Sequence, residues 1–386
     1  MSEYQYYEFL AVDRSLDARQ RDELRALSTR AQITSTSLIN TYHWGDFRGD
    51  PQKLVARYFD AFLYLANWGT RRLMLRLPKR LLDLKTAQSY CLGDAASAWV
   101  DGENVILDLS YHNEGDWEDE GGEGWLTSII PVRAELASGD LRLLYLAWLL
   151  TASAGELDDD AVEPPVPPNL STLTASLRSI ADFLRLDEDL LAVAAMASEQ
   201  VPGDETSEAD LVRWVADFSV TEKNTLIMRV LRGDDAHLRV ELLRRFHKGA
   251  PVSTAGAGKR TVAELLDAAE VRRVERERLA EQQRAQERAR RERQAEIARD
   301  KRLEALALQE EQAWQRVSMM IDTKKPGEYD NAVTLLTDLR AVSERQGHPE
   351  VFEQRFEHLR DQHLRKPSLL QRFDRAGLGT TAGAPN

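Results

Sequence analysis

The stretch RRVERERLAEQQRAQERARRERQAEIARDK, residues 272–301, carries 11 basic and 7 acidic side chains and neither Pro nor Gly. It sits inside a longer run, Thr261 to about Met319, that lacks both helix breakers and is dominated by Arg, Glu, Gln and Ala. Residues of this kind favour helix. Thr261 and Glu264 have the spacing of a capping box that would start one. The reading is a single helix over 261–319. At ~1.5 Å per residue, roughly 58 helical residues reach on the order of 85 Å.

A two-stranded coiled coil requires apolar a and d positions over several heptads. Following Val271 and Val274 at 3-4 spacing leads to Arg278, Glu281, Ala285, Arg288 and Glu292, and the seam fails. The run therefore reads as a solvated helix stiffened by pairs such as Glu287–Arg291 and Glu275–Arg278, each worth ~0.2–0.5 kcal/mol. A coiled coil formed with a partner, through Leu303, Leu306 and Leu308, is the alternative. A helix of this composition holds two bodies apart or presents charge. It builds no active site alone.

Working outward, charge divides unevenly. Residues 1–250 hold 26 basic and 41 acidic side chains, whereas 251–386 hold 25 and 23. The acidic front argues against broad adhesion to DNA or anionic lipid. Cys91 is the only cysteine, so no intrachain disulfide forms, which fits a reducing compartment. MSEYQYYEFL has no signal-peptide pattern, and LRLLYLAWLLTASA from Leu141 is too short to span a bilayer. The expectation is a soluble, cytoplasmic protein without membrane contact.

Residues 1–155 read as an α/β domain holding six of the eight tryptophans. YQYYEFLAV (4–12) is apolar on both faces, as in a central strand. In RRLMLRLP (71–78), Leu73, Leu75 and Leu77 share one face and Arg72, Met74 and Arg76 the other. AWV-DG-ENVILDLSY reads as a hairpin turning at Asp101-Gly102. Tyr42-His43-Trp44-Gly45-Asp46 is echoed 69 residues on by Tyr111-His112-Asn113-Glu114-Gly115-Asp116. Each loop follows a strand–helix–strand run, so the domain is read as ferredoxin-like, with duplication as one option. An acidic, Pro-rich linker (156–169) precedes a bundle of short helices (170–248) and a flexible joint (249–260). Beyond the long helix, 320–378 forms a helical hairpin and terminal helix, and 379–386 is a disordered tail. The fold class is α+β.

Candidate chemistry is sparse. His43, Asp46, His112, Glu114 and Asp116 would offer imidazole and carboxylate to a metal or a proton transfer if the two loops converged. A metal-dependent hydrolase is one reading of them; acidic turns after strands is the plainer one. Arg71, Arg72, Arg76, Lys79 and Arg80 form a basic cluster beside Trp68, where a sheet could hold nucleic acid by stacking and phosphate contacts; the plainer reading is the solvated face of an amphipathic strand. Arg288, Arg290 and Arg291 extend that reading to the long helix, although their acidic neighbours blunt it. GAGKRT (256–261) is no phosphate loop, because Ser253 and Arg260 replace the required Gly and hydroxyl. No zinc pattern, nucleophile elbow or dinucleotide fingerprint appears, and no cofactor is expected.

Near the C-terminus, Trp314, Val317 and Ile321 line one helix, and Tyr329, Ala332, Leu336 and Leu339 a second. Over about 34 residues this hairpin resembles a single tetratricopeptide unit, with a longer turn at TKKPGE. The resemblance implies a protein-docking element, for which Trp314, Tyr329, Leu336, Leu339, Phe352 and Phe356 are the candidate contacts. The whole chain is similar to uncharacterised bacterial proteins in which runs like YLANWGTRRLMLRLP and RKPSLLQRFDRAGL recur, a resemblance that implies architecture and no reaction. The functional expectation is a non-enzymatic adaptor that bridges protein partners. Its rival is an accessory subunit of a nucleic-acid-processing system.

Overall fold

The computed structural model describes residues 3–113, 121–201, 208–232, 238–247 and 259–378. The chain is mixed α+β and divides into two compact units, 1–276 and 277–386.

In the first unit β1 (Gln5–Leu10) is followed by α1 (Ala18–Leu27), β2 (Gln32–Ile33) and β3 (Ser37–Tyr42). Next come α2 (Pro51–Arg57), β4 (Ala61–Ala66), β5 (Thr70–Pro78), α3 (Leu84–Gln88), β6 (Ala96–Asp101) and β7 (Asn104–His112). The seven strands form one sheet in the order β2-β3-β1-β4-β5-β7-β6, with every neighbouring pair antiparallel. β3 and β4 are therefore parallel with β1 inserted between them, and β5 and β6 are parallel with β7 between. Each parallel pair is joined by one helix, α2 or α3.

Side-chain alternation places two cores on the two faces of this sheet. Leu63, Leu73, Leu75 and Leu107 point to one, and Tyr7, Phe9, Phe62 and Met74 to the other. Helices α1 and α2 close the second face through Leu24, Leu54 and Val55. β1 is apolar on both sides because both sides are covered. At the β6–β7 hairpin Asp101 pairs with Asn104, so the two-residue turn is Gly102-Glu103, one position later than the Asp-Gly reading. Gly102 there adopts φ +56°, which glycine takes without a Cβ clash.

The opposite face is covered by helices. These begin with α4 (Trp125–Ile129), α5 (Val132–Ser138), α6 (Arg142–Ser153), α7 (Ala175–Phe183) and α8 (Glu188–Ala195). Leu143 through Ala152 are all buried, as expected of a helix apolar around its circumference. The segment 156–169, expected to be a linker, contributes buried Glu163 and Val166 to this core, and Pro165 accepts a hydrogen bond from Tyr90 Oη at 2.9 Å. α9 (Glu208–Ala216), α10 (Val220–Leu231) and α11 (Leu238–His247) follow. Most of the expected joint, 249–258, and the tail 379–386 lie outside the described residues.

The long helix α12 spans Val262–Ala307 and not 261–319. At its end the Gln309 N–H turns to Leu306 O at 3.0 Å, a tighter i−3 bond, and Leu308 is 88% exposed. No Gly or Pro marks the break. It sets α13 (Glu310–Asp322) against α14 (Pro326–Gln346), burying Val317, Ile321, Ala332 and Leu336, and that burial outweighs the small propensity for continuing straight. α15 (Pro349–Gln362) and α16 (Pro367–Arg375) complete the second unit, adding Phe356, Leu369 and Phe373 to its core.

Candidate functional site

The histidine loops come first. Tyr42 pairs with Gln5 and Gln5 with Ala66, while Thr70 pairs with His112. Both loops thus leave the same edge of the sheet, with β1, β4 and β5 between them. At ~4.8 Å per strand the intervening spacing is roughly 19 Å, too far for one small ligand set. Asp46 is held by Gln5, whose Nε2 donates to it at 3.2 Å, and the His43 ring lies 5.8 Å from that of Tyr4. Glu114 and Asp116 lie outside the described residues. Among the described residues no group of three or more His, Cys, Asp or Glu could hold a metal ion. Burial pushes the Cys91 thiol up to about 12, so it is no thiolate nucleophile at neutral pH.

The basic cluster is engaged within the protein. Arg71 is buried and donates to Phe183 O at 2.9 Å. Arg72 grips Asp108 at 2.8 and 2.6 Å, Arg76 grips buried Asp60 at 2.6 Å, and Arg80 reaches Glu241 at 2.6 Å. Asp60 also accepts from the Val12 and Asp13 backbone N–H groups, at 2.7 and 2.8 Å. Arg133 adds a bidentate bond to Asp13. These guanidiniums satisfy internal carboxylates and carbonyls. Arg288, Arg290 and Arg291 are exposed on α12, with Arg291 3.9 Å from Glu287.

The most constructed feature is the base of α12. Thr261 and Glu264 form the expected reciprocal cap, at 2.9 and 3.2 Å. Two further N–H groups of the first turn, which a helix leaves without internal partners, find them in the upstream segment. Val262 N–H donates to Ala161 O and Ala263 N–H to Asp159 O, each at 3.0 Å. Buried Glu163 accepts from Arg260 Nε at 2.8 Å and from the Tyr145 hydroxyl. Arg260 also donates to the carbonyls of Val193 and Ala194 at the C-terminal end of α8, where the helix dipole favours a cation. The Glu163 hydrogen bond holds the Arg260 guanidinium above its usual range, and burial with Glu163 raises the Tyr145 phenol. At the other end of α8, buried Asp189 receives Arg276 at 2.8 Å and Arg272 at 3.3 Å. Arg260, just before α12, and Arg272 and Arg276 on it thus hold α8 at both ends with guanidiniums.

Beyond that base the helix is bare. From Glu277 to Arg299 every residue except Ala280 is exposed. Within the second unit it is packed again, through buried Leu303 and ion pairs from Arg302 to Asp338 and from Arg345 to Asp300.

The C-terminal candidates Trp314, Tyr329, Leu336, Leu339, Phe352 and Phe356 are all buried in their unit's own core. They build the interior of this unit and do not form its surface. What this unit offers outside is a cavity of about 410 Å³ between α13 and α15, lined by Glu311, Gln315, Ser318, Gln354, Arg355 and His358 around the edge of Trp314. Arg355 lies 4.8 Å over the Trp314 ring and pairs with Glu311 at 2.7 Å. Trp314 Nε1 is buried without a hydrogen-bond partner. A buried indole N–H left unpaired is unusual.

Sequence reasoning missed Glu163, Asp189 and Arg260. Their one legible signal was acid and base in otherwise apolar or Pro-rich surroundings. Comparison with family models, with curated proteins and with solved structures gives no match to this chain. No helix among the described residues is long and apolar enough to cross a membrane.

Proposed function

We propose that the protein is a non-enzymatic, cytoplasmic adaptor that docks a protein partner on its C-terminal helical unit and presents it through α12. The observation that supports this most is the contrast along one helix. Guanidinium–carboxylate contacts lock its base, and Glu277 to Arg299 are then exposed to solvent with almost no interruption. Exposed helix of that length gains nothing from burial, so a purely structural connection of this kind would be costly to keep ordered. The α13–α15 cavity supplies polar groups for a partner. The likeness of this hairpin to a tetratricopeptide unit, and of the chain to uncharacterised bacterial proteins, belongs to this same reading. So does a ferredoxin-like, duplicated origin for the sheet, which its two helix-joined parallel strand pairs favour.

The test uses the full chain. Affinity capture with wild-type protein is compared with a Gln315→Arg/Gln354→Arg variant, altered only on the exposed cavity rim, followed by direct binding of any partner that differs. A partner that binds wild type and is lost at least tenfold from the variant supports the proposal. Identical partners for both, or none, would remove the docking role. The metal-hydrolase and Arg71–Arg80 readings gain no specific observation.

A further inference from the structure

A second cavity, of about 410 Å³, opens in the first unit beside the end of β3. It is within the ~300–1,000 Å³ range of small-ligand sites. Its walls include Ser28, Arg30, Tyr42, Trp44, Asp46 and Arg48. Trp44 is 66% exposed, and the Arg30 guanidinium stands 4.3 Å over its ring. A lone exposed tryptophan means little. This one stands beside two guanidiniums that, among the described residues, have no carboxylate partner. Arg72, Arg76, Arg80, Arg133 and Arg260 all have one. Asp46, the one acid on the wall, is tied to Gln5.

Beneath them Asn40, 2% exposed, donates from Nδ2 to Ser28 Oγ at 2.9 Å and to Tyr42 Oη at 2.8 Å. Both hydroxyls already accept, so their own protons are left to donate, and both residues line the cavity. Asn40 Oδ1 is buried with no partner. The cavity therefore brings together an aromatic plate, two guanidiniums without a carboxylate partner and two hydroxyl donors. That set matches a flat π-system carrying an anionic oxygen group: stacking for the ring, guanidinium and hydroxyl donors for the oxygens.

We propose that this cavity binds a nucleotide unit, its base on Trp44 and its phosphate toward Arg30 and Arg48. The unit is either a free nucleotide or one residue of a single strand. The site is separate from the Arg71–Arg80 cluster and from the arginines of α12, and it is independent of the docking reading above.

The experiment measures binding to full-length protein of AMP, of a ten-nucleotide single-stranded RNA and of inorganic phosphate, at two salt concentrations. The variants are Trp44→Ala, Trp44→Phe, Arg30→Gln/Arg48→Gln and, as control, Arg288→Gln/Arg290→Gln. Trp44, Arg288 and Arg290 are exposed, so those substitutions leave the fold intact. Loss of stacking in Trp44→Ala is expected to weaken binding roughly 5- to 150-fold, with Trp44→Phe in between. The Arg30/Arg48 variant is expected to lose affinity and to flatten the salt dependence. AMP and RNA both binding in this pattern supports a free-nucleotide site, and RNA alone a strand site. No binding of either, binding unchanged by Trp44→Ala, loss through Arg288/Arg290 instead, or phosphate binding as tightly as AMP would each overturn the proposal.

Discussion

The two units of this chain are held together by different chemistry. Between residues 1 and 276 the core encloses Glu8, Asp60, Arg71, Asp108, Arg133, Glu163 and Asp189. In the described part of 277–386 the only buried polar residue is Ser343; the arginines of the ion pairs there, such as Arg302–Asp338 and Arg372–Asp330, are exposed or half-buried. Buried ion pairs add little net stability against a well-packed apolar core. They penalise every arrangement in which one partner is missing, because the other is left buried and uncompensated. The first unit is thus specified by geometry, and the second by apolar helix packing.

The largest effect should come from unbalancing the first unit. Asp60→Ala leaves Arg76 and two backbone N–H groups without their acceptor, and is expected to cost roughly 3–5 kcal/mol. Denaturant unfolding followed by hydrogen exchange should place that loss in peptides from 1–276. An equal loss of protection in 310–378 would show that the two units are not energetically separate.

In the second unit the corresponding insult is a cavity. Leu336→Ala removes a fully buried side chain from the α13–α14 contact and should cost roughly 2–5 kcal/mol, lowering exchange protection in 310–378 and sparing the sheet. A cost below ~1 kcal/mol would mean that this core is loosely packed, contradicting the comparison.

The smallest effect is a pH dependence. Burial, only partly offset by the hydrogen bond from Tyr6, raises the Glu8 carboxyl above its usual range. Its proton is therefore held more tightly folded than unfolded. The stability this contributes is fully present below the unfolded value, about 4.5, and is lost as pH rises through the folded one. Glu8→Gln should remove that slope. Melting temperatures measured from pH 4 to 8 would differ between wild type and variant mainly at the upper end, and identical profiles would show that Glu8 ionises freely in the folded state.

Much of this architecture was visible in residue order. The alternation Leu73-Leu75-Leu77 against Met74 assigned both faces of β5, and Thr261 with Glu264 marked where α12 begins. Both are signals within a few residues of one another. What escaped depends on separation. Arg72, Arg76 and Arg80 read as a solvated or nucleic-acid-binding cluster because their partners Asp108, Asp60 and Glu241 lie 36, 16 and 161 residues away. The end of α12 at Ala307 escaped because tertiary packing, with no breaker residue, decides it. The Trp44 cavity escaped for a related reason: Arg30 lies in the turn before β2, and the pairing of β2 with β3 brings it to the end of β3.

The contacts between Arg260 and Glu163 join residues 97 apart. Together with Val262, Leu265 and Ala269, which fill the same core, they set an order of events during synthesis. The sheet and its covering helices are complete in sequence by Ala195, yet Glu163 and Asp189 have no guanidinium partners until Arg260, Arg272 and Arg276 have emerged from the ribosome. For those last eighty or so residues, several seconds at ~5–20 residues per second, the nascent unit carries two buried acids without their counter-charges. The first turns of α12 act as a closing clasp, and the chain beyond them emerges only after its anchor can be set.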